Sequence, residues 1–372
     1  MPSASAATRT TLPELPPRNP AHHPLRLLEK ARKDGKPLFV SAPMVRYSKL
    51  PFRALVRDYG VDVCYTPMIL AKEFVRHQKA RVADFSTSES DRPLVVQFAA
   101  SMPTDFARAA EMVMPYCDGV NLNCGCPQSW AIQEGVGCAM MGKPEDVAAM
   151  VKAVKERCGK EFCVSVKIRV HRNIEETLRF VSLVEGAGVD YITVHGRTRS
   201  QRSSIPPNLD AIRAVKQHAT VPVLANGDVF TLRDALHISS YTGVDGVMAA
   251  RGLLTNPCLF AGFEKTPWGA LERFLDYAFK MNVPFAVTVH HVGEMMEEMV
   301  TRKERARMVE NCRNIVQLVE WLDERFVLKR KGEEGWSEGV DVPRKEVHKK
   351  AEVQEVPDVG NLTIQNDVVQ VS

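Results

Sequence analysis

The strongest constraint on the fold of this chain is a regular alternation of short apolar runs with helical patterns. Eight such runs, rich in Val, Ile, Phe and Tyr, occur between residues 37 and 251. Short, uninterrupted apolar runs are typical of parallel strands that are buried on both faces. The predicted strands comprise residues 38–40, 61–66, 93–99, 119–123, 162–170, 191–195, 221–226 and 246–250.

The number of repeats favours a closed barrel over an open, doubly wound sheet. Eight β-then-α units with right-handed crossovers can close into a (β/α)8 or TIM barrel. The first helix does not begin with G-x-G-x-x-G, which is the dinucleotide-binding motif of an open sheet. A barrel takes roughly 250 residues, whereas the chain has 372. We therefore predict an α/β fold with a TIM barrel followed by a small C-terminal helical domain.

Helix boundaries and domain limits follow from the same pattern. Thr104, Asn173, Asn208 and Thr231 are predicted N-caps of barrel helices. The strand pattern ends at Pro257, and we expect three further helices over residues 271–280, 287–302 and 305–325. The predicted segments are a disordered or helical lead-in (1–35), the barrel (36–263), a helical appendage (264–328) and a disordered tail (329–372).

Composition excludes several classes of protein. The net charge of +4 does not by itself indicate a nucleic-acid partner. No run of 18 apolar residues occurs, so we expect no transmembrane helix and no membrane partner. The nine cysteines form no disulfide framework, and the C-x-C pair Cys124 and Cys126 lacks a second pair, so no metal is expected. Without a secretory signal, the expected location is cytoplasmic, with the nucleus as an alternative.

Polar residues and glycines stand at the predicted carboxyl ends of most strands, where the active site of a TIM barrel lies. One polar strand end means little, but so many together indicate a ring around a ligand. These residues are Pro43 and Met44 after the first strand, Gln97 in the third, Asn123 and Cys126 at the fourth, Lys167 and Arg169 in the fifth, His195 and Arg197 at the sixth, Asn226, Gly227 and Asp228 at the seventh, and Ala250, Arg251 and Gly252 at the eighth.

The last two strand ends are typical of a phosphate site. Gly227 and Gly252 would let backbone N–H groups approach an anion closely, and Arg251 adds a positive charge. Two ordinary tight turns are the alternative interpretation. Lys167 points into the same mouth, where a reduced flavin, anionic near N1, would compensate its charge; otherwise its ammonium extends to solvent. Gln97 offers a donor and an acceptor to a uracil-like ring edge, or is simply a satisfied core side chain.

Cys126 is the candidate acid of the site. A free thiol has a pKa near 8.5 and is mostly protonated at neutral pH, so it can donate a proton to a carbon atom. A buried, inert cysteine is the alternative, and we assign Cys124 and Cys138 to it. In the helical appendage, the basic run over residues 302–307 is either a solvated helix face or a contact for a polyanion.

At these strand ends the chain resembles the tRNA-dihydrouridine synthase family. The resemblance extends from residue 38 to the region of residue 263, and its most specific part is the N-C-G-C-P motif from Asn123 to Pro127. Segments 41–50, 64–69 and 123–130 resemble the eukaryotic branch that modifies uridines 20a and 20b of the tRNA D-loop. The matching stretches are 42–44, 123–127, 167–169, 195–197, 226–228 and 251–252.

The resemblance implies a bound FMN, NADPH or NADH as reductant, and tRNA as a substrate that the helical appendage helps to hold. It implies that hydride from reduced FMN adds to uracil C6 and that Cys126 protonates C5. It places Asn123, Arg169 and Arg197 near the flavin or the target base. We expect a monomer. The implied FMN contacts are Pro43, Met44, Val45, Gln97, Lys167, His195, Asn226, Gly227, Asp228, Ala250 and Arg251.

Two other functions share parts of this pattern. An FMN-dependent TIM-barrel reductase of a free small molecule, of the dihydroorotate or enone type, would have the same phosphate end. A non-enzymatic RNA-binding protein would need the basic helical face but no flavin ring, so Gln97, Lys167 and His195 would have no joint purpose. The basic appendage and the N-C-G-C-P motif favour a tRNA substrate.

Overall fold

The computed structural model describes residues 19–281 and 283–345. Eight parallel strands form a closed ring in the order β1–β2–β4–β5–β6–β7–β8–β9, and β9 pairs again with β1. The two-residue strand β3 pairs in parallel with the carboxyl end of β4. The strands are β1 (Leu38–Ser41), β2 (Val63–Tyr65), β3 (Ile69–Leu70), β4 (Leu94–Ala99), β5 (Gly119–Cys124), β6 (Cys163–Arg169), β7 (Tyr191–His195), β8 (Val223–Asn226) and β9 (Gly246–Ala249).

Helices surround the ring, and the predicted (β/α)8 barrel is thereby confirmed. The strand between β2 and β4 and two short helices that follow it were not predicted. The helices of the barrel region are α1 (Pro24–Lys33), α2 (Leu50–Asp58), α3 (Ala71–Arg76), α4 (Gln78–Asp84), α5 (Pro103–Val113), α6 (Ser129–Gln133), α7 (Pro144–Cys158), α8 (Ile174–Gly186), α9 (Leu209–His218), α10 (Leu232–Thr242) and α11 (Arg251–Thr255).

Three of the four predicted caps are present. The side chains of Asn173 and Asn208 accept backbone N–H groups at the starts of α8 and α9, and Thr231 forms a capping box with Asp234 at the start of α10. The predicted cap Thr104 is wrong, because α5 already begins one residue earlier with a proline at its first position. Proline lacks the N–H that a cap would satisfy, so it suits that position.

The side chains inside the barrel change from apolar at the amino ends of the strands to polar at the carboxyl ends. At the amino ends of the strands, Leu38, Val63 and Leu224 form an apolar cluster with Leu28 and Ala31 of α1. Helix α1 therefore covers the bottom of the barrel, and it lies within the segment that was predicted as a disordered or helical lead-in; residues 1–18 lie outside the described part. Higher in the barrel, the inward-facing positions of the strands become polar, which places the site at the opposite end.

Four helices follow the barrel, where three were predicted. They are α12 (Trp268–Lys280), α13 (Phe285–Met295), α14 (Arg302–Asn311) and α15 (Ile315–Asp323). The predicted helix 305–325 is wrong because Asn314, whose side chain accepts the Gln317 N–H, starts a new helix. Likewise, Thr301 forms a capping box with Glu304 at the start of α14, so the predicted helix 287–302 ends early.

Residues 329–345 are ordered against the helical domain, which differs from the disordered tail that we predicted. The buried carboxylate of Glu272 in α12 accepts the backbone N–H groups of Lys329 (2.8 Å) and Ser337 (2.9 Å) and the Trp268 indole N–H (2.9 Å). The segment has polar, glycine-containing sequence, but its order comes from hydrogen bonds to a distant helix. Residues 346–372 lie outside the described part, and the division into domains stays a prediction.

Candidate active site at the carboxyl end of the barrel

Three carboxamide side chains form a buried relay across β4, β5 and β6. Gln97 donates to Asn121 Oδ1 (2.8 Å) and accepts from Asn123 Nδ2 (2.8 Å), while Asn121 Nδ2 donates to Ser165 Oγ (2.9 Å). Parallel pairing brings them together, because Gln97 is the register partner of Asn121 on the neighbouring strand. All four side chains are buried, so each polar group has to be satisfied inside the protein.

The direction of every hydrogen bond in this relay follows from the backbone. Asn123 Oδ1 accepts the N–H groups of Gly125 (3.0 Å) and Cys126 (2.9 Å), which can only donate. The amide group of Asn123 must therefore face Gln97 Oε1, and the Gln97 amide group must face Asn121. The loop that carries Cys126 thus determines which end of the Gln97 amide faces which neighbour.

Cys126 lies on the loop after β5 and is partly exposed. Its Sγ is 4.0 Å from Gln128 Oε1, and its carbonyl oxygen accepts the Cys138 N–H (2.9 Å). Cys124 and Cys126 do not converge, because Cys124 is buried in the main core and Cys126 packs with a small cluster containing Ala99 and Val136. Within the described residues, no group of three His, Cys, Asp or Glu side chains could hold a metal.

Lys167 stands beside Asn123, its register partner on the neighbouring strand. Burial, with a smaller contribution from the Arg169 cation, lowers the pKa of Lys167 to about 8. Its ammonium group has no hydrogen-bond or salt-bridge partner in residues 19–281 and 283–345. A partly buried cation without an anion is energetically unfavourable, so this position would favour an anionic ligand.

His195 ends β7 and is neutral at physiological pH. Burial first, and then the cations of Lys167, Arg169, Arg197 and Arg251, lower its pKa to about 2. Its Nε2 lies 3.3 Å from Arg197 Nη1, which can only donate. Nε2 is therefore the acceptor, and the imidazole proton is on Nδ1, where it is available to an acceptor on a ligand.

Arg169 and Arg197, which we expected near the flavin or the base, are mostly committed to holding loops. Arg169 donates to the carbonyl oxygens of Gly125 (2.9 Å), Thr198 (2.8 Å) and Gln201 (3.3 Å). The buried Arg197 donates to Ile205 O, to Ser203 O (3.2 Å) and to the Asp228 carboxylate. The two arginines therefore join the Cys126 loop, the loop after β7 and the loop after β8.

The predicted phosphate end is a tight pocket of about 60 Å³ at the carboxyl ends of β8 and β9. Gly227 has φ 133°, and a Cβ there would lie 3.1 Å from the His195 ring, so only glycine fits. Arg251 donates to Asp228 Oδ1 (2.6 Å), so an anion would share this guanidinium with a carboxylate. The predicted residues Asn226, Gly227, Asp228, Ala250 and Arg251 all line this pocket, together with His195.

The loop after β1 carries the three other predicted contacts. Pro43 and Met44 are partly buried and Val45 is exposed. Ser48 Oγ donates to Ala42 O (2.8 Å) and accepts the Met44 N–H (2.9 Å), which closes the loop into a compact turn. Their role as contacts of the cofactor stays a prediction.

A larger cavity of about 890 Å³ opens beside the Cys126 loop and contains residues that the sequence analysis did not select. Its described lining includes no Asp or Glu, and five arginines face it. The Thr-Arg-Ser-Gln-Arg stretch directly after β7 was the sequence signal that could have identified two of these arginines. The lining residues not predicted are Pro127, Gln128, Ser129, Trp130, Arg199, Ser200, Gln201, Arg202 and Ser203.

Together the fold and the site define a (β/α)8-barrel protein with a strongly basic ligand site built by its βα loops and a C-terminal helical extension. The chain belongs to the dihydrouridine synthase (Dus) family, whose model matches residues 40–354. The resemblance inferred from the strand-end motifs is thereby confirmed. In the described part of the chain, no helix is long and apolar enough to cross a membrane.

Three relatives illustrate the similarity. The chain is 50% identical over 317 residues to the tRNA-dihydrouridine(20a/20b) synthase (NAD(P)+) of Schizosaccharomyces pombe, covering 85% of this chain and 96% of the relative. It is 45% identical over 327 residues to the protein of the same name from Saccharomyces cerevisiae, covering 87% and 89%. A human protein named as similar to this synthase is 46% identical over 272 residues, covering 73% and 86%.

Proposed function

We propose that this protein reduces uridine to 5,6-dihydrouridine at positions 20a and 20b of the tRNA D-loop, with FMN as bound cofactor and NADPH or NADH as reductant. The observation that carries the proposal is the register of β5 and β6, which sets Asn123, the anchor of the Cys126 loop, beside Lys167, whose ammonium is unpaired within the described residues. Membership of the Dus family and the names of the three relatives support the reaction, the nicotinamide reductant and the tRNA substrate.

The residues at the mouth of the barrel fit an FMN. Lys167 offers a cation that has no hydrogen-bond or salt-bridge partner in the part of the chain that the structure describes. Gln97 has one N–H and one lone pair that its bonds to Asn121 and Asn123 do not use, and Gly227 leaves room for a close backbone approach. When bound, FMN supplies the hydride that adds to pyrimidine C6. The residues proposed to hold it are Pro43, Met44, Val45, Gln97, Lys167, His195, Asn226, Gly227, Asp228, Ala250 and Arg251.

The role of the protein is to bind, orient and protonate the target base. Flipping the uridine out of the tRNA is required, because stacking in the helix shields its reacting carbons. The Cys126 thiol then donates its proton to C5, which completes reduction of the C5–C6 double bond, and the thiolate regains a proton from solvent. Asn123 positions this thiol by fixing the loop backbone, and Arg169 braces the same loop through Gly125.

The test is the reduction of unmodified tRNA by the flavin-loaded protein with NADPH, with dihydrouridine measured by mass spectrometry. Cys126→Ala should lower the rate by about 10²- to 10⁴-fold, the usual contribution of a general acid, while the flavin absorbance is retained. Cys138→Ala is the matched control, because this neighbouring thiol is buried and should not affect the rate.

Three outcomes would contradict the proposal. A wild-type rate of tRNA reduction in Cys126→Ala would show that Cys126 is not the proton donor. A colourless wild-type protein that releases no FMN would favour an RNA-binding protein instead. Reduction of free uridine or enones as fast as tRNA would favour a small-molecule reductase. A monomeric state and a cytoplasmic or nuclear location stay predictions.

A further inference from the structure

Trp130 is an exposed aromatic side chain held in one orientation on the wall of the 890 Å³ cavity. It lies in the first turn of α6, and 38% of its surface is exposed. Its indole Nε1 donates to Gln128 Oε1 at 2.6 Å, and the next residue, Ala131, is fully buried and anchors the helix. An aromatic ring that is fixed before binding loses little conformational entropy when a planar ligand stacks on it.

Two cations that line the same cavity have no hydrogen-bond or ion-pair partner among the residues that the structure describes. Arg169, Arg197 and Arg251 use their guanidinium groups on carbonyl oxygens or on Asp228. Arg199 and Arg202, by contrast, are exposed, and their side chains make no hydrogen bond or ion pair within the described residues. Free guanidinium groups next to an aromatic ring match a nucleotide, because a base can stack while its phosphate pairs with arginine.

We propose that Trp130 stacks on the base of a tRNA nucleotide that flanks the target uridine, and that Arg199 and Arg202 bind the adjoining phosphates. This inference rests on the proposed function. The location favours tRNA over the nicotinamide dinucleotide as the source of this nucleotide, because Trp130 is only four residues from Cys126 and Gln128 links the two side chains. A ring at the start of α6, directly after the loop of the proton donor, is therefore close to the thiol that is proposed to protonate the pyrimidine.

The test compares Trp130→Leu with Trp130→Phe in the flavin-loaded, full-length protein. Leucine removes the stacking ring, and phenylalanine keeps a ring but loses the bond to Gln128. Trp130→Leu should weaken tRNA binding, measured by fluorescence anisotropy, by about tenfold to a hundredfold, and Trp130→Phe should stay within a few-fold of wild type. The rate of flavin reduction by NADPH should not change in either variant.

Tyr241→Leu is the control, because Tyr241 is an aromatic residue of similar exposure on the outer helix α10. The double variant Arg199→Ala, Arg202→Ala provides a second measurement that does not depend on the ring. Its plot of log Kd for tRNA against log salt concentration should be shallower than that of wild type, by about one unit of slope for each lost phosphate contact. Melting temperatures verify that each variant is folded.

Unchanged tRNA affinity in Trp130→Leu would overturn the inference, as would an unchanged salt dependence in the double variant. A raised KM for NADPH with unchanged tRNA affinity would assign the ring to the dinucleotide and would also overturn it. Failure of the proposed function is distinguishable: a wild-type protein that binds tRNA but forms no dihydrouridine overturns that function, while the affinities of the Trp130 variants still decide the stacking contact.

Discussion

At the scale of single residues, Lys167 stands out because no negative charge among the described residues compensates its positive charge. Its ammonium is partly buried, and burial first and then the Arg169 cation lower its pKa to about 8. Neutral His195 next to it adds no compensating charge. An anion bound here would restore the charged form and raise the pKa of Lys167 again. Cofactor redox state and the protonation of this lysine should therefore be coupled.

Replacing Lys167 with methionine should make the flavin harder to reduce. A charge-assisted hydrogen bond contributes about 1.5–3 kcal/mol, so the two-electron midpoint potential should fall by about 30–60 mV. The midpoint potential of Lys167→Arg should stay close to that of wild type, because arginine keeps the positive charge. Because the free lysine has a pKa of about 8 and the anion raises it, wild-type affinity for reduced FMN should decrease as the pH rises above 8, whereas that of the arginine variant should not.

Equilibration with a reference dye measures the potential, and titration of the apoprotein with reduced FMN between pH 7 and 10 measures the affinity. The same potential in the methionine variant and in wild type would mean that Lys167 does not contact the flavin.

At the scale of elements, the loop after β5 and the short 3-10 helix over Gly137–Gly142 act as one unit. The Cys138 N–H donates to the Cys126 carbonyl oxygen, and Gly137 sits directly against Cys126. A Cβ at Gly137 would lie 2.8 Å from that oxygen and 2.9 Å from the Cys126 Cβ. The absence of a side chain at residue 137 therefore helps to define the position of the candidate acid.

Gly137→Ala should displace Cys126, and Gly135→Ala is its matched control. Both glycines have a left-handed backbone, with φ of 62° and 71°, so both variants carry a similar strain of roughly 1–2 kcal/mol. Only residue 137 has a neighbour in the way, because nothing lies within 4 Å of a Cβ at residue 135. We expect both variants to fold, with a somewhat lower melting temperature for Gly137→Ala because of the added steric clash, and a much lower tRNA reduction rate and an altered alkylation rate of Cys126 only in Gly137→Ala. Equal activity in the two variants would refute this positioning role.

At the scale of the whole molecule, the segment 329–345 connects the end of the helical domain to its beginning. Trp268 and Gly269 donate backbone N–H groups to Val340 (3.3 Å) and Gly339 (2.8 Å), and Val327 donates to Pro343 (2.8 Å). Two of the three donors to the buried Glu272 carboxylate also come from this segment. The helical domain is therefore incomplete when the chain ends at residue 328.

A chain that ends at residue 328 should be less stable than one that ends at residue 345. The shorter chain leaves Glu272 with a single donor, and each hydrogen bond to a charged group contributes about 1.5–3 kcal/mol. The melting temperature should fall by about 5 °C or more, as measured by circular dichroism. The 345-residue chain should melt close to the full-length protein. Equal melting temperatures for both truncated chains would contradict the bracing role of the segment.

Local information in the sequence was sufficient to predict the barrel fold. Burial of parallel strands on both faces requires continuous apolar runs, so β1 to β9 were visible except for the two-residue β3. The caps Asn173, Asn208 and Thr231 were equally visible, since a cap acts on its own helix. Strand order also placed Gln97, Asn123, Lys167 and His195 at one end, because parallel strands present their carboxyl ends together.

What only the tertiary structure decided depends on contacts between residues far apart in the chain. The amide direction of Gln97 is set by backbone groups that follow the neighbouring strand, and the Arg169 and Arg197 guanidinium groups donate to carbonyl oxygens of distant loops. Trp130 and Arg202 share a cavity only because two loops meet above the barrel. Periodicity and propensity describe a residue's near neighbours in sequence, whereas hydrogen-bond partners and cavities arise from closure of the ring.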